Sequence, residues 1–201
     1  MRTLAIIGAS GHGKVIADIA IKNGYTDIIF LDDNASILEC GGHPVVGKSA
    51  DIKNISADVI VGIGNSRIRK RIQESLNDDD LVTLIHPDAV IADSASIGLG
   101  TVIMAGVVVN PDVLIGRGCI INTCSSLDHD CKIGNFVHVA VGSHLCGAVT
   151  VGDRTWIGAG ATVSNNITIC RDVMLGAGGV VVKSISEPGT YVGVPAQRIG
   201  S

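Results

Sequence analysis

Three histidines, His129, His138 and His144, fall within sixteen residues, and the first stands between Asp128 and Asp130. Imidazole titrates near neutral pH, so a histidine beside a carboxylate is suited to take a proton from a nucleophile and to be steadied once charged. The cluster is the first candidate for an active site. Zinc is the competing use of such residues, but spacings of nine and six put these three on different faces of one coil of the repeat that contains them. One chain is therefore a poor ligand set unless a neighbouring chain contributes, and no metal is expected.

Two glycine-rich stretches have backbone free to meet a ligand. Gly8-Ala9-Ser10-Gly11-His12-Gly13 lies between a predicted strand and a predicted helix, where N–H groups and the helix N-terminus favour a phosphate. Its G-x-x-G-x-G spacing reverses the dinucleotide fingerprint. Asp32 and Asp33 follow about 20 residues on, at the end of the next strand, where an acidic residue commonly meets a ribose or base. Gly158-Ala159-Gly160 and Gly176-Ala177-Gly178 recur 18 residues apart and stack as a strip without large side chains. Its open N–H and C=O groups would suit an extended chain of amides such as the pantetheine arm of coenzyme A.

The elements that carry these residues are of two kinds. From Ile85 to Val181 an aliphatic residue occupies every sixth position, and four places after each the side chain is small or β-branched, as at Ala89, Thr101, Val113, Cys119 and Cys131. A period of six fits neither a helix nor simple strand alternation and is the hexapeptide repeat of a parallel β-helix. The aliphatic points inward and the small residue fills a corner. Gly or Asn directly after the aliphatic, as at Gly98, Asn110, Gly116 and Gly134, is expected to permit the turn. Three hexads close a triangular coil, and the stacked coils form a prism on the order of 25 Å tall. The first eighty residues read differently: a strand Thr3 to Gly8, a helix from about Lys14 to Asn23 with Val15, Ile16, Ile19 and Ala20 on its buried face, and a strand Asp27 to Leu31. A further strand, Asp58 to Ile63, leads through Gly64-Asn65 to a helix capped by Ser66. The expected fold is an α/β, Rossmann-like domain over residues 1–82 followed by a parallel β-helix over 83–201.

Composition narrows the function classes. Apolar residues make up 46% and aromatics only 2%, which suits a narrow aliphatic prism. A net charge of −4 argues against nucleic acid or an anionic membrane as a partner. No stretch approaches the length of a membrane span, and the apolar run at the start is too short for one, so a soluble cytoplasmic protein is expected. Six cysteines without a CxxC pair read as reduced thiols.

The segments GASGHGK at Gly8 to Lys14, FLDD at Phe30 to Asp33, Gly64-Asn65 with Arg67 to Lys70, INTCSSLDHDCKIG at Ile121 to Gly134 and VGVPAQRI at Val192 to Ile199 together resemble a bacterial family. It comprises the UDP-4-amino-sugar N-acetyltransferases of bacillosamine synthesis and the sialic acid O-acetyltransferases. The resemblance implies a left-handed β-helix, a homotrimer and acetyl-CoA lying between adjacent prisms. It implies a nucleotide-activated sugar, UDP-linked in preference to GDP, held by Gly11, His12, Gly13, Asp32, Asp33, Gly64 and Asn65. His129 matches the general base, Asp130 stands where the bacillosamine enzymes carry Glu, and His138 matches a second active-site histidine. Coenzyme A is expected along Asn122, Gly147, Gly158, Ala159, Gly160, Gly176, Ala177 and Gly178. The implied reaction is direct attack of a sugar amine on the thioester. Sugar O-acetylation and a non-catalytic, nucleotide-sugar-binding partner of a synthase are the alternatives.

Overall fold

Runs of consecutive apolar residues make fully buried parallel strands, and the chain begins with one. The computed structural model describes residues 3–200. β1 (Thr3–Ile7), β2 (Asp27–Leu31), β3 (Glu39–Cys40), β4 (His43–Gly47) and β5 (Asp58–Val61) form a sheet ordered β3-β4-β2-β1-β5. It is parallel except where β3 meets β4. α1 (Gly11–Lys22) packs on one face, and a 3₁₀ turn (Ser49–Asn54) lies with α2 (Ser66–Gln73) on the other. α1 starts three residues before the expected Lys14, so the last two loop glycines are its first turn. Val15 is exposed, and the buried face is Gly13, Ile16, Ala17, Ile19 and Ala20. The cap of α2 is Asn65 and not Ser66: the Asn65 side-chain oxygen accepts the N–H groups of Arg67 and Ile68, at 3.1 Å each.

From Leu84 the chain winds through two-residue strands that pair in parallel with those 18 residues away, building sheets of eight, six and five strands. The eight-stranded sheet is the first face (Ile85, Ile103, Ile121, Val139, Ile157, Leu175), and it gains its last two strands from a terminal hairpin, Gly189–Val192 with Gln197–Ile199. The second face follows Ile91, Val109, Leu127, Leu145, Val163 and Val181. The third follows Ile97, Ile115, Ile133, Val151 and Ile169. These inward aliphatics and the corner residues Val107, Val113, Cys119, Cys131, Val137 and Val149 form one continuous core.

The turns differ from the expectation in their geometry. From Gly100 to Gly178 the left-handed residue of each corner comes three places after the aliphatic, and it is as often Asp112, Cys124, Asp130, Phe136 or Arg154 as glycine. The glycine directly after the aliphatic serves stacking instead. A Cβ on Gly152 would lie 2.5 Å from the backbone nitrogen of Arg171, and one on Gly98 2.5 Å from that of Arg117, each one coil away.

The first face explains how the two units are joined. Its outward residues Leu84, Val102 and Ile120 are apolar and buried, and with Met104 they share a core with Ile16, Ile19 and Ala20 of α1. Among the described residues no helix is long and apolar enough to cross a membrane.

Candidate active site

The docking of α1 on the first face brings His12 to His138. His12 lies in the first turn of α1, and its ring centroid is 6.4 Å from that of His138, an outward residue of the first face. Trp156, one coil further along, lies against the His138 ring at 4.1 Å between centroids. The side-chain nitrogen of Asn122 is 3.1 Å from His138 Nε2. His12 Nε2 and His138 Nδ1 are buried without a partner. Burial first, then the charge of Arg69, pushes the pKa of His12 down to about 4 and that of His138 to about 3, with His12 adding to the latter. Both rings are neutral in the physiological range and can exchange hydrogen bonds but not hold a charge.

The glycine loop approaches this pair closely because two positions admit no side chain. Gly8 has φ +114°, and a Cβ on Gly13 would lie 2.3 Å from the carbonyl oxygen of Gly8. Gly11 and Gly64 face open space. Asp32 is committed locally: it accepts the N–H of Ala9 at 2.7 Å and that of Asn34 at 2.8 Å, which ties the loop to the end of β2. Asp33 accepts from the N–H of Ser49 at 3.0 Å. Asn65 is occupied as the helix cap.

His129 stands elsewhere, at the corner between the second and third faces. Its Nδ1 is 2.8 Å from Asp130 Oδ2, and a carboxylate can only accept there, so Nδ1 carries the proton and Nε2 the free lone pair. Asp128 accepts the backbone N–H of His129 and is itself held by Asn110. The hydrogen bond that Nδ1 donates to Asp130, then the nearby charge of Asp128, raises the pKa of His129 above the ordinary histidine value. The imidazole rests on Gly147: a Cβ there would lie 2.5 Å from Nε2. His144 is on the outward side of the second face, 2.9 Å from the hydroxyl of Ser126, away from both groups.

In a triangular section the corner between the second and third faces is opposite the first face. The packed core therefore separates His129 from His12 and His138 of the same chain.

Asn122, Gly158 and Gly176 stack along the edge between the first and second faces, and Ala159, Gly160, Ala177 and Gly178 beside them are exposed. This edge is less open than expected. The N–H groups of Gly142, Gly160 and Gly178 donate to Thr123, Val141 and Ala159 one coil away, so an extended ligand cannot use those three donors. What remains is an exposed strip without large side chains at Ala159, Gly160, Ala177 and Gly178.

Residues 3–76 match the PglD N-terminal domain family. The chain is 38% identical over 113 residues to UDP-N-acetylbacillosamine N-acetyltransferase of Bacillus subtilis (strain 168), an alignment that covers 52% of each protein, so the match spans about half the length of this curated relative. Two solved structures match throughout. The acetyltransferase domain of PglB from Neisseria gonorrhoeae FA1090, also solved with acetyl coenzyme A, superposes with a TM-score of 0.93 at 40% identity, covering 99% of this chain and 100% of that one. PerB from Caulobacter crescentus, in complex with CoA and GDP-perosamine, gives 0.92 at 37% identity, covering 100% and 98%.

Proposed function

Since the chain belongs to the nucleotide-sugar N-acetyltransferases that join a PglD-type domain to a left-handed β-helix, we propose that it transfers the acetyl group of acetyl-CoA to the amine of a nucleotide-activated amino sugar. A UDP-4-amino-4,6-dideoxy sugar is the preferred acceptor, because the curated relative is named for a UDP-linked bacillosamine. The observation that carries the reading is the His129–Asp130 pair on its glycine seat: a water-accessible imidazole with its Nε2 lone pair free and its other nitrogen held by a carboxylate.

The reaction follows from those groups. The sugar amine attacks the thioester carbonyl and passes a proton to His129 Nε2 as the C–N bond forms. Asp130 holds the resulting imidazolium. Collapse of the tetrahedral intermediate breaks the C–S bond, and the departing CoA thiolate takes the proton. No acyl-enzyme is involved, so the cysteines play no chemical part. Cys119 and Cys131 are unsuited to one in any case, since burial pushes their pKa values up to about 12 and about 11.

The active unit is a homotrimer with sites at its seams. A sugar anchored by the glycine loop beside His12 cannot meet His129 of the same chain across the core. It can meet His129 of a neighbour. The second face supports such packing: its outward residues are Val90, Val108, Ser126, His144, Thr162 and Val180, with no lysine, arginine or carboxylate among them, and Val141 lies exposed at its edge. Met104 is buried under the N-terminal unit and takes no part in this packing. Acetyl-CoA lies along the glycine edge of one chain, with Asn122 beside His138, and against Gly147 of its neighbour, and the whole acts in the cytoplasm.

Thiol release from acetyl-CoA, measured over UDP- and GDP-linked amino sugars and free sialic acid, tests this. Turnover is expected with a nucleotide-linked amine. Turnover with sialic acid alone would make the enzyme an O-acetyltransferase, and none with any acceptor would make it a binding protein.

A further inference from the structure

Arg69 is the largest fully buried side chain among the described residues, at 1% exposure, and no ion pair there includes it. Its planar fork is spent on four backbone carbonyls. Nη1 donates to Ile63 at 2.7 Å and Gly64 at 2.8 Å, Nε to Gly118 at 2.7 Å and Nη2 to Phe136 at 2.8 Å. The first two carbonyls belong to the turn after β5 that leads to Asn65. The other two lie on successive coils of the prism, and Phe136 is two residues before His138.

We propose that Arg69 is a positioning residue for catalysis: by bonding both sides at once it fixes the nucleotide-sugar-binding loops against His138, and so sets the gap into which the acceptor sugar fits. The inference rests on the acetyltransferase reading for its kinetic consequence and on the geometry alone for the clamp.

Two observations separate this from ordinary interface packing. A buried cation without a carboxylate is costly, and apolar residues would seal the same interface more cheaply, as α1 does on Leu84, Val102 and Ile120. The site around it also makes room for the guanidinium's partners: Gly118 has φ +64°, and a Cβ there would strike the Phe136 ring at 2.4 Å. The same charge helps keep His12 and His138 neutral. Lysine cannot replace the fork, because one ammonium cannot span four carbonyls on two units.

The test compares Arg69→Met and Arg69→Lys with Arg71→Met, an exposed position on the same helix. Thermal melting and acetyl-CoA affinity report folding and the cofactor site. With wild-type activity established, the Arg69 variants are expected to bind acetyl-CoA normally but to lose on the order of 10²-fold in kcat through misplacement of the acceptor. The Lys variant should recover part of the loss, and Arg71→Met should show none. Hydrogen exchange gives a readout independent of turnover: amides of residues 62–66 and of 136–138 should both exchange faster in Arg69→Lys while those of β1 do not. A folded Arg69→Lys protein with unchanged kcat and unchanged exchange overturns the proposal. If the wild type releases no thiol with any acceptor, the acetyltransferase reading fails, and the exchange result still decides the clamp. Should Arg69→Met fail to fold, the Lys variant alone carries the decision.

Discussion

Asp130 meets His129 from a left-handed backbone position. At φ +60°, a conformation Asp tolerates better than most residues, its carboxylate reaches Nδ1 of the preceding residue at 2.8 Å. The consequence appears in pH dependence. A general base acts only when unprotonated, and the pKa of His129 is raised chiefly by Asp130, so kcat should climb with pH through a midpoint above the ordinary 6.5 or so. Asp130→Asn removes the first cause and should move that midpoint to lower pH while lowering the plateau, since the imidazolium loses its carboxylate. The plateau loss should be smaller than that of His129→Ala, for which about 10²- to 10⁴-fold in kcat is expected. Profiles of kcat against pH at saturating substrates decide the matter; an Asp130→Asn midpoint equal to wild type would detach Asp130 from the base. This pair was legible in the sequence because its members are adjacent. Arg69 was not, since its partners are carbonyls, which no residue type advertises, up to 67 residues away.

At the scale of elements, the hexad was legible because its inward aliphatics are uninterrupted, while the reason for its glycines was not. The turn position accepts Asp, Cys, Phe and Arg, whereas the glycines after the third-face aliphatics, Gly98, Gly116, Gly134 and Gly152, are crowded by the next coil, a contact about 18 residues away that local turn chemistry does not reveal. The two readings order a pair of substitutions oppositely. Gly142 has φ +62° but open space for a Cβ, so Gly142→Asn should cost at most about 1–2 kcal/mol. Gly152 has no left-handed φ, yet its Cβ would meet the Arg171 backbone, so Gly152→Ala should cost toward 3 kcal/mol as the coils are forced apart. Urea midpoints of the two variants rank them, and a more damaging Gly142→Asn would restore the turn explanation. The outward side of the first face was missed for a related reason. Leu84, Val102 and Ile120 fall just before inward aliphatics and read as part of the same apolar run until α1 is seen lying on them.

For the whole molecule the decisive fact is that His129 and His138 sit on opposite sides of one prism, so a site using both must draw them from two chains. Complementation tests that directly. Take His129→Ala and His138→Ala chains, each inactive as a homotrimer, and produce them together in equal amounts. A seam works only where the chain offering His129 is a His138→Ala chain and its neighbour offering His138 is a His129→Ala chain. In a closed ring of three, any mixed trimer has one such seam, and random assembly makes about three-quarters of the trimers mixed. Activity should therefore return to about a quarter of wild type per site, although neither parent turns over. If each site were built within one chain, no assembly would contain an intact site and the mixture would stay dead. A third outcome bears on assembly rather than catalysis: a wild-type enzyme that is active as a monomer by light scattering would dismiss the seam altogether, and with it either the sugar site on the first face or His129 as the base, because one chain cannot bring the two together across its core.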